Sequence, residues 1–154
     1  MKKSAGILLY RLNNKNPEFF LVHPGGPFWK NKDAGAWSIP KGEFTDGEDP
    51  LEAAKREFME ETGITCEGEF IPLGSLKQKS GKLVFAWALL KDIDSTLMRS
   101  NTFELEWPPR SGKIITVPEV DKGGWFSYDE ASEKILSAQA AFLDQLILKL
   151  NLPK

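Results

Sequence analysis

Asp49-Pro50 at one end and Gly63 at the other bracket a stretch whose ends permit little besides a helix. Aspartate is a favoured N-cap because its carboxylate accepts orphan backbone N–H groups, and proline at the first helical position loses nothing by lacking its own. Glycine just past the last turn accepts the left-handed conformation that ends a helix. The spacing therefore predicts a helix over Pro50 to Thr62, with Leu51, Ala54 and Phe58 as its apolar face. Glu57, Glu60 and Glu61 stand at i, i+3 and i+4, so three carboxylates converge on one patch of that helix.

Like charges at this spacing cost roughly 0.2–0.5 kcal/mol per pair in an isolated helix unless a cation lies between them. Arg56 reaches Glu52 or Glu60 as an i±4 partner, but one fork does not neutralise the whole patch. A divalent ion would complete the compensation, and carboxylates with water and a backbone carbonyl suit Mg²⁺ or Mn²⁺. Taken alone, the patch reads more readily as a solvated, salt-bridged helix face.

Composition narrows the chemistry. The chain of 154 residues has one cysteine, Cys66, and one histidine, His23, so an intramolecular disulfide is excluded and a soft-metal site is disfavoured. Any metal is expected to be hard and oxygen-bound. With 20 basic and 22 acidic side chains, the net charge of −2 provides no global basic field for nucleic acid, and DNA is not expected as a partner. An apolar content of 41% supports a sizeable core, and the length fits a single domain over residues 1–154. The apolar run Ala5 to Tyr10 is too short to span a bilayer and lacks a cleavage-type ending, so no membrane association and a cytoplasmic location are the expectations.

Ser4 to Leu12 and Phe19 to His23 read as strands separated by the turn cluster Asn13 to Pro17. Pro24 to Gly35 is a long Gly/Pro-rich loop whose Phe28, Trp29, Lys30 and Lys32 either face a ligand or pin the loop to the core. Further strands are expected at Glu69 to Gln78, interrupted by Pro72, at Lys82 to Leu90, and at Phe103 to Trp107. Ser127 and Glu130 have capping-box spacing, and apolar residues from Ala131 to Leu150 follow at helical intervals, as one long helix or two short ones. Strands mixed with two helical regions imply an α+β or α/β sandwich.

The segment Gly42 to Ile64 matches the Nudix signature G-x5-E-x7-R-E-U-x-E-E-x-G-U at every specified position: Gly42, Glu48, Arg56, Glu57, Phe58, Glu60, Glu61, Gly63 and Ile64. The chain thus resembles the Nudix hydrolase family, nearest in character to its dinucleoside polyphosphate and nucleoside triphosphate pyrophosphohydrolase branch. The resemblance implies an α+β fold in which a mixed sheet lies between helices, an α/β/α sandwich. It also implies hydrolysis of a pyrophosphate linkage, an acid anhydride, with Mg²⁺ or Mn²⁺ as cofactor. Glu57, Glu60 and Glu61 match the metal-holding positions, with Glu57 in some members the base, and the carbonyl of Gly42 or neighbouring Lys41 would complete the shell. Arg56 resembles the arginine that orients the catalytic glutamate, and Glu48 its structural partner. Several members use an extra glutamate before a late tryptophan; here Glu119, ahead of Trp125, is the candidate ligand or base, with Asp121 its nearby rival and Glu104 and Glu106 more distant ones.

Trp37-Ser38-Ile39-Pro40-Lys41-Gly42 resembles the entry to the box in members that act on dinucleoside polyphosphates or diphosphoinositol polyphosphates. Lys41, Trp37 and Arg110 are the candidate substrate contacts: cations for an extended phosphate chain and an aromatic face for a base. Lys77, Lys79 and Lys82 are further cations. Trp29, Trp107 and Phe103 are alternative stacking surfaces, whereas the tyrosine that the dinucleoside branch often places downstream of the box is missing, since Tyr10 and Tyr128 lie elsewhere. The expected partner is a small-molecule nucleotide, and a homodimer stays open as an assembly. The alternative functions are a nucleotide-binding Nudix-like sensor without turnover and an RNA 5′-end pyrophosphohydrolase.

Overall fold

The computed structural model describes residues 2–154. Its elements run β1 (Lys3–Asn13), β2 (Asn16–Pro24), β3 (Lys41–Phe44), α1 (Pro50–Thr62), β4 (Ile71–Lys77), β5 (Leu83–Leu90), β6 (Thr102–Glu106), β7 (Ile114–Pro118), β8 (Val120–Ser127), α2 (Tyr128–Lys134) and α3 (Ala140–Leu150). The main sheet has the order β4-β5-β1-β2-β8, with β3 added beside β1, while β6 and β7 form a separate hairpin. β1 and β5 are parallel and the other pairs antiparallel, so the sheet is mixed and the fold is α+β.

Strand alternation sorts the apolar side chains into two layers. Ile7 and Leu9 of β1 with Phe20 and Val22 of β2 face α1, where they meet Ala53, Ala54 and Phe58. Leu8, Tyr10, Phe19 and Leu21 face the opposite side, against Ala131 of α2 and Phe142, Leu143 and Leu146 of α3. The sheet is therefore covered on both faces, as in the expected sandwich.

The helix ends form as their residues dictate. Glu52 N–H donates to Asp49 Oδ2 at 3.1 Å, and Gly63 sits at φ 75° with its N–H donating to the Met59 carbonyl at 2.7 Å. Ser127 and Glu130 complete their capping box, and of the two forms expected for the C-terminal region the pair of short helices is the one found. Pro72 is tolerated inside β4 because the β4–β5 register shifts between Pro72 and Gly74. Among the described residues, no helix is long and apolar enough to cross a membrane.

One feature of the sheet sets the position of everything functional. β1 shares one edge between two partners: Tyr10 to Asn13 pair with β2, and Lys3 to Gly6 pair with β3. Between them the chain leading into β3 is held from both sides, by an Ile7 N–H bond to the Pro40 carbonyl and by reciprocal bonds between Val22 and Ser38. Lys41 and Gly42 are thereby carried to the foot of α1.

Phe58, fully buried, meets Phe20 across the α1 layer with ring centroids 6.4 Å apart. Phe58→Ala is expected to cost about 3–5 kcal/mol, the usual range for emptying such a site. Urea denaturation measures this directly, and a loss under about 1 kcal/mol would mean that α1 is not anchored as described.

Candidate active site

The carboxylate patch of α1 is organised by one guanidinium. Arg56 Nε and Nη2 donate to the two oxygens of Glu48 at 2.8 and 3.1 Å, while Nη1 donates to Glu57 Oε1 at 2.8 Å and to Glu60 Oε1 at 3.3 Å. The fork therefore spans the loop before α1 and two carboxylates on the helix, which is the geometry arginine offers and lysine does not. Its hydrogen bonds hold the Glu48 carboxyl below the usual carboxylate range.

Glu57 is only 8% exposed because the same helix face that buries Ala54 and Phe58 carries it toward β3. Gly42 lies directly against its carboxylate: a Cβ there would stand 2.0 Å from Glu57 Oε2. The glycine of the box is thus required by close approach and not by backbone conformation. Burial, then the neighbouring Glu60, raises the Glu57 carboxyl above its ordinary value, with Arg56 opposing.

Glu61 points to the other side of the same junction, where its Oε1 accepts the Lys41 backbone N–H at 3.3 Å. Burial first, and then Glu119, push its carboxyl up to about 8, against the Lys41 N–H and the Lys41 ammonium. Glu119 joins from the β7–β8 junction and is itself raised, by burial and then by Glu60. Lys41 is drawn below the usual lysine range by burial and by Lys82, while Glu61, Glu43 and Glu57 hold it up. Lys41, Glu61 and Glu119 line one cleft of about 200 Å³, together with Trp29, Pro24, Ser38 and Leu136.

These groups fit a divalent cation. The donors are carboxylates, two of them held in a setting that disfavours their own charge, and the cradle at Gly42 is kept open for Glu57 by the missing side chain. Among the described residues no three such donors already close on one point. Glu57 and Glu60 are drawn to Arg56, and Glu61 to the Lys41 amide.

The other expected site residues fall elsewhere. Trp37, offered above as a stacking surface, is 5% exposed and belongs to the core: its indole donates to Asp33 Oδ1 at 2.7 Å and packs edge-on against His23 and Phe126. Trp29 is the tryptophan that faces the cleft. Arg110 is exposed in the β6–β7 turn and is not part of the cleft wall, and Glu106 closes that same turn by accepting from the N–H groups of Arg110 and Gly112. Asp121 is engaged by His23 Nδ1 at 3.0 Å. Of the rivals to Glu119, none lines the cleft. Ser38 and Leu136 of the wall carried no signal in the sequence, since one small polar residue and one leucine have no chemical signature.

Replacing Arg56 by glutamine leaves the nearly buried Glu57 without its cation. Stability without divalent ions is expected to fall by about 1–2 kcal/mol, toward the low end for charged hydrogen bonds because the guanidinium is partly in solvent. Added Mg²⁺ should recover part of the loss. Denaturation curves for Arg56→Gln indistinguishable from the parent would show that the fork is ornamental.

The model of the NUDIX domain matches residues 2–146. A nucleoside triphosphate pyrophosphatase/Nudix hydrolase fusion protein of Bifidobacterium longum is 28% identical over 88% of this chain, which spans only 29% of that protein's length. The asymmetrical bis(5′-nucleosyl)-tetraphosphatase of Rattus norvegicus is 31% identical over 60% of this chain and 67% of its own. In structure, a C. elegans Ap4A hydrolase binary complex superposes with a TM-score of 0.63 at 24% identity, covering 98% of both chains. With the box complete from Gly42 on β3 through α1 to Ile64 and the domain model matched almost end to end, this chain belongs to the NUDIX family.

Proposed function

We propose that this protein hydrolyses a pyrophosphate linkage in a nucleoside polyphosphate with the help of Mg²⁺ or Mn²⁺, with a dinucleoside polyphosphate favoured over a simple triphosphate. The observation that carries this reading is the placement of Glu57 against Gly42 and of Glu61 on the Lys41 amide, with Glu60 on the same helix tied to Arg56, beside a cleft that also holds Glu119. Likeness to the rat tetraphosphatase over most of that enzyme's length supports the choice of substrate.

Glu57, Glu60 and Glu61, with the carbonyl of Gly42 or Lys41, are the residues that would hold the ion. When bound, a divalent ion offsets charge on phosphate oxygens and acidifies a water. The protein's own groups supply the rest. Arg56 fixes the Glu57 carboxylate so that it does not turn away from the reacting phosphate. Glu57 and Glu119 are the two carboxylates placed to take the proton of the attacking water, the first against β3 and the second in the cleft wall. Lys41 sets a positive charge in the same wall, where a phosphate beyond the cleaved linkage would lie. Trp29 offers that wall an aromatic face for a base.

Glu57→Gln keeps the shape of the side chain and removes its charge. With Mg²⁺ present, hydrolysis of a nucleotide panel that includes dinucleoside polyphosphates should fall at least about 100-fold, with melting close to the parent's. Turnover as fast as the parent's in a folded Glu57→Gln would overturn the mechanism. Tight nucleotide binding by the parent with no turnover under either ion would favour the sensor alternative instead.

A further inference from the structure

His23 is 1% exposed, lies at the end of β2, and takes no part in the machinery described so far. Both of its ring nitrogens are nevertheless used. Nδ1 meets Asp121 Oδ1 at 3.0 Å, and Nε2 meets the Lys32 carbonyl at 2.6 Å. The ring thus bridges the carboxylate and the carbonyl, one through each nitrogen. The ring is further packed against Trp37, with centroids 5.3 Å apart.

Its two partners stand beside the cleft without lining it, each close in the chain to a residue that does: Lys32 to Trp29 and Asp121 to Glu119. Lys32 sits in the Gly/Pro-rich loop: its N–H donates to the Trp29 carbonyl at 3.0 Å, and its ammonium lies over the Phe28 ring at 3.7 Å and the Trp29 ring at 5.3 Å. Trp29, at the centre of that cluster, lines the cleft. Asp121 stands two residues beyond Glu119, on β8. The root of the loop is already fastened to that strand by the Gly25 N–H bond to the Glu119 carbonyl at 3.0 Å. Gly25 also has no room for a side chain, since a Cβ would meet the Pro118 carbonyl at 2.0 Å. β8 is thus held by its own ladder with β2, and the Lys32 carbonyl bond ties the far part of the loop to β8 through His23, beside the anchors that Gly35 N–H and the Asp33 carboxylate make to Glu133 and Lys134 of α2.

We infer that His23 is a positioning residue that sets nucleotide specificity: by bridging Asp121 and the Lys32 carbonyl, it holds Trp29 at a fixed distance from Glu119 as a platform for a planar base. This rests on the reading of the cleft as a nucleotide site. His23 touches no part of the substrate, and its influence passes through the loop backbone to Trp29. A chain carrying phosphates but no base should therefore be indifferent to it.

The test measures dissociation constants in the presence of Mg²⁺ for an adenine nucleotide and for inorganic tripolyphosphate, which has no base. The proteins are the parent, His23→Leu, His23→Gln, Trp29→Leu and the His23→Leu/Trp29→Leu double variant, with melting curves as a control for folding. His23→Leu should weaken the adenine nucleotide about tenfold or more, the scale of a lost stacking contact, and leave tripolyphosphate within about twofold. His23→Gln, whose amide can donate to the Lys32 carbonyl, should recover most of the affinity. The double variant should bind no more weakly than Trp29→Leu alone, because one residue acts through the other.

Additive losses in the double variant, or an equal loss for tripolyphosphate, would overturn the inference and leave His23 a purely structural residue. If the parent binds neither probe, it is the nucleotide reading of the cleft that fails, and the positioning role falls with it. Should His23→Leu not fold, His23→Asn retains a donor toward Asp121 but none toward Lys32, and it carries the same expectation.

Discussion

The site depends on one guanidinium held among three carboxylates. Glu57 and Glu60 share a face of α1, and Glu48 approaches from the loop before the helix; without Arg56 their mutual repulsion would work against the helix that carries them. Because the fork is bidentate to Glu48 and single to each helix carboxylate, it fixes direction as well as charge. Glu57 therefore presents its free oxygen to Gly42, where the absence of a side chain leaves it room.

Arg56 does not reach every acid in the site. Among the described residues Glu61 and Glu119 have no cationic partner of that kind, and burial holds both carboxyls above their ordinary range. Such groups cost stability, and a fold retains them where they are needed for function. The architecture that brings them together is the shared edge of β1. β2 and β3 each take part of that edge, and the residues leading into β3 are bonded to both strands, so a lysine, a glycine and the last turn of α1 meet at one place. The apolar layer beneath α1, anchored on Phe58 and Phe20, keeps the helix from sliding along the sheet.

Much of this is legible in the sequence, for identifiable reasons. Asp49-Pro50 and Gly63 define α1 because capping is local chemistry, and the three glutamates follow from helical period alone. β3 is not legible: Lys41-Gly42-Glu43-Phe44 is short, contains glycine, and pairs only because β1 offers a free edge. β8 is hidden in the same way by the polar and glycine-rich run Val120 to Gly124, which owes its extended form to β2. Trp37 is the instructive error. Its place in the entry to the box suggested an aromatic face for a base, yet its indole turns toward Asp33 and the core, while Trp29, earlier in the chain, faces the cleft. His23 shows no role in the sequence because its partner Asp121 is 98 residues away.

The acidic junction of α1 and β3 has the donor chemistry to hold a divalent cation. Mn²⁺ titration followed by electron paramagnetic resonance, on the parent and on Glu61→Gln, tests it most directly. The parent should bind saturably and the variant at least about tenfold more weakly, while the variant's stability without divalent ions should equal or exceed the parent's because a buried carboxylate has been replaced by a neutral amide. Equal Mn²⁺ affinity in the two folded proteins would contradict it.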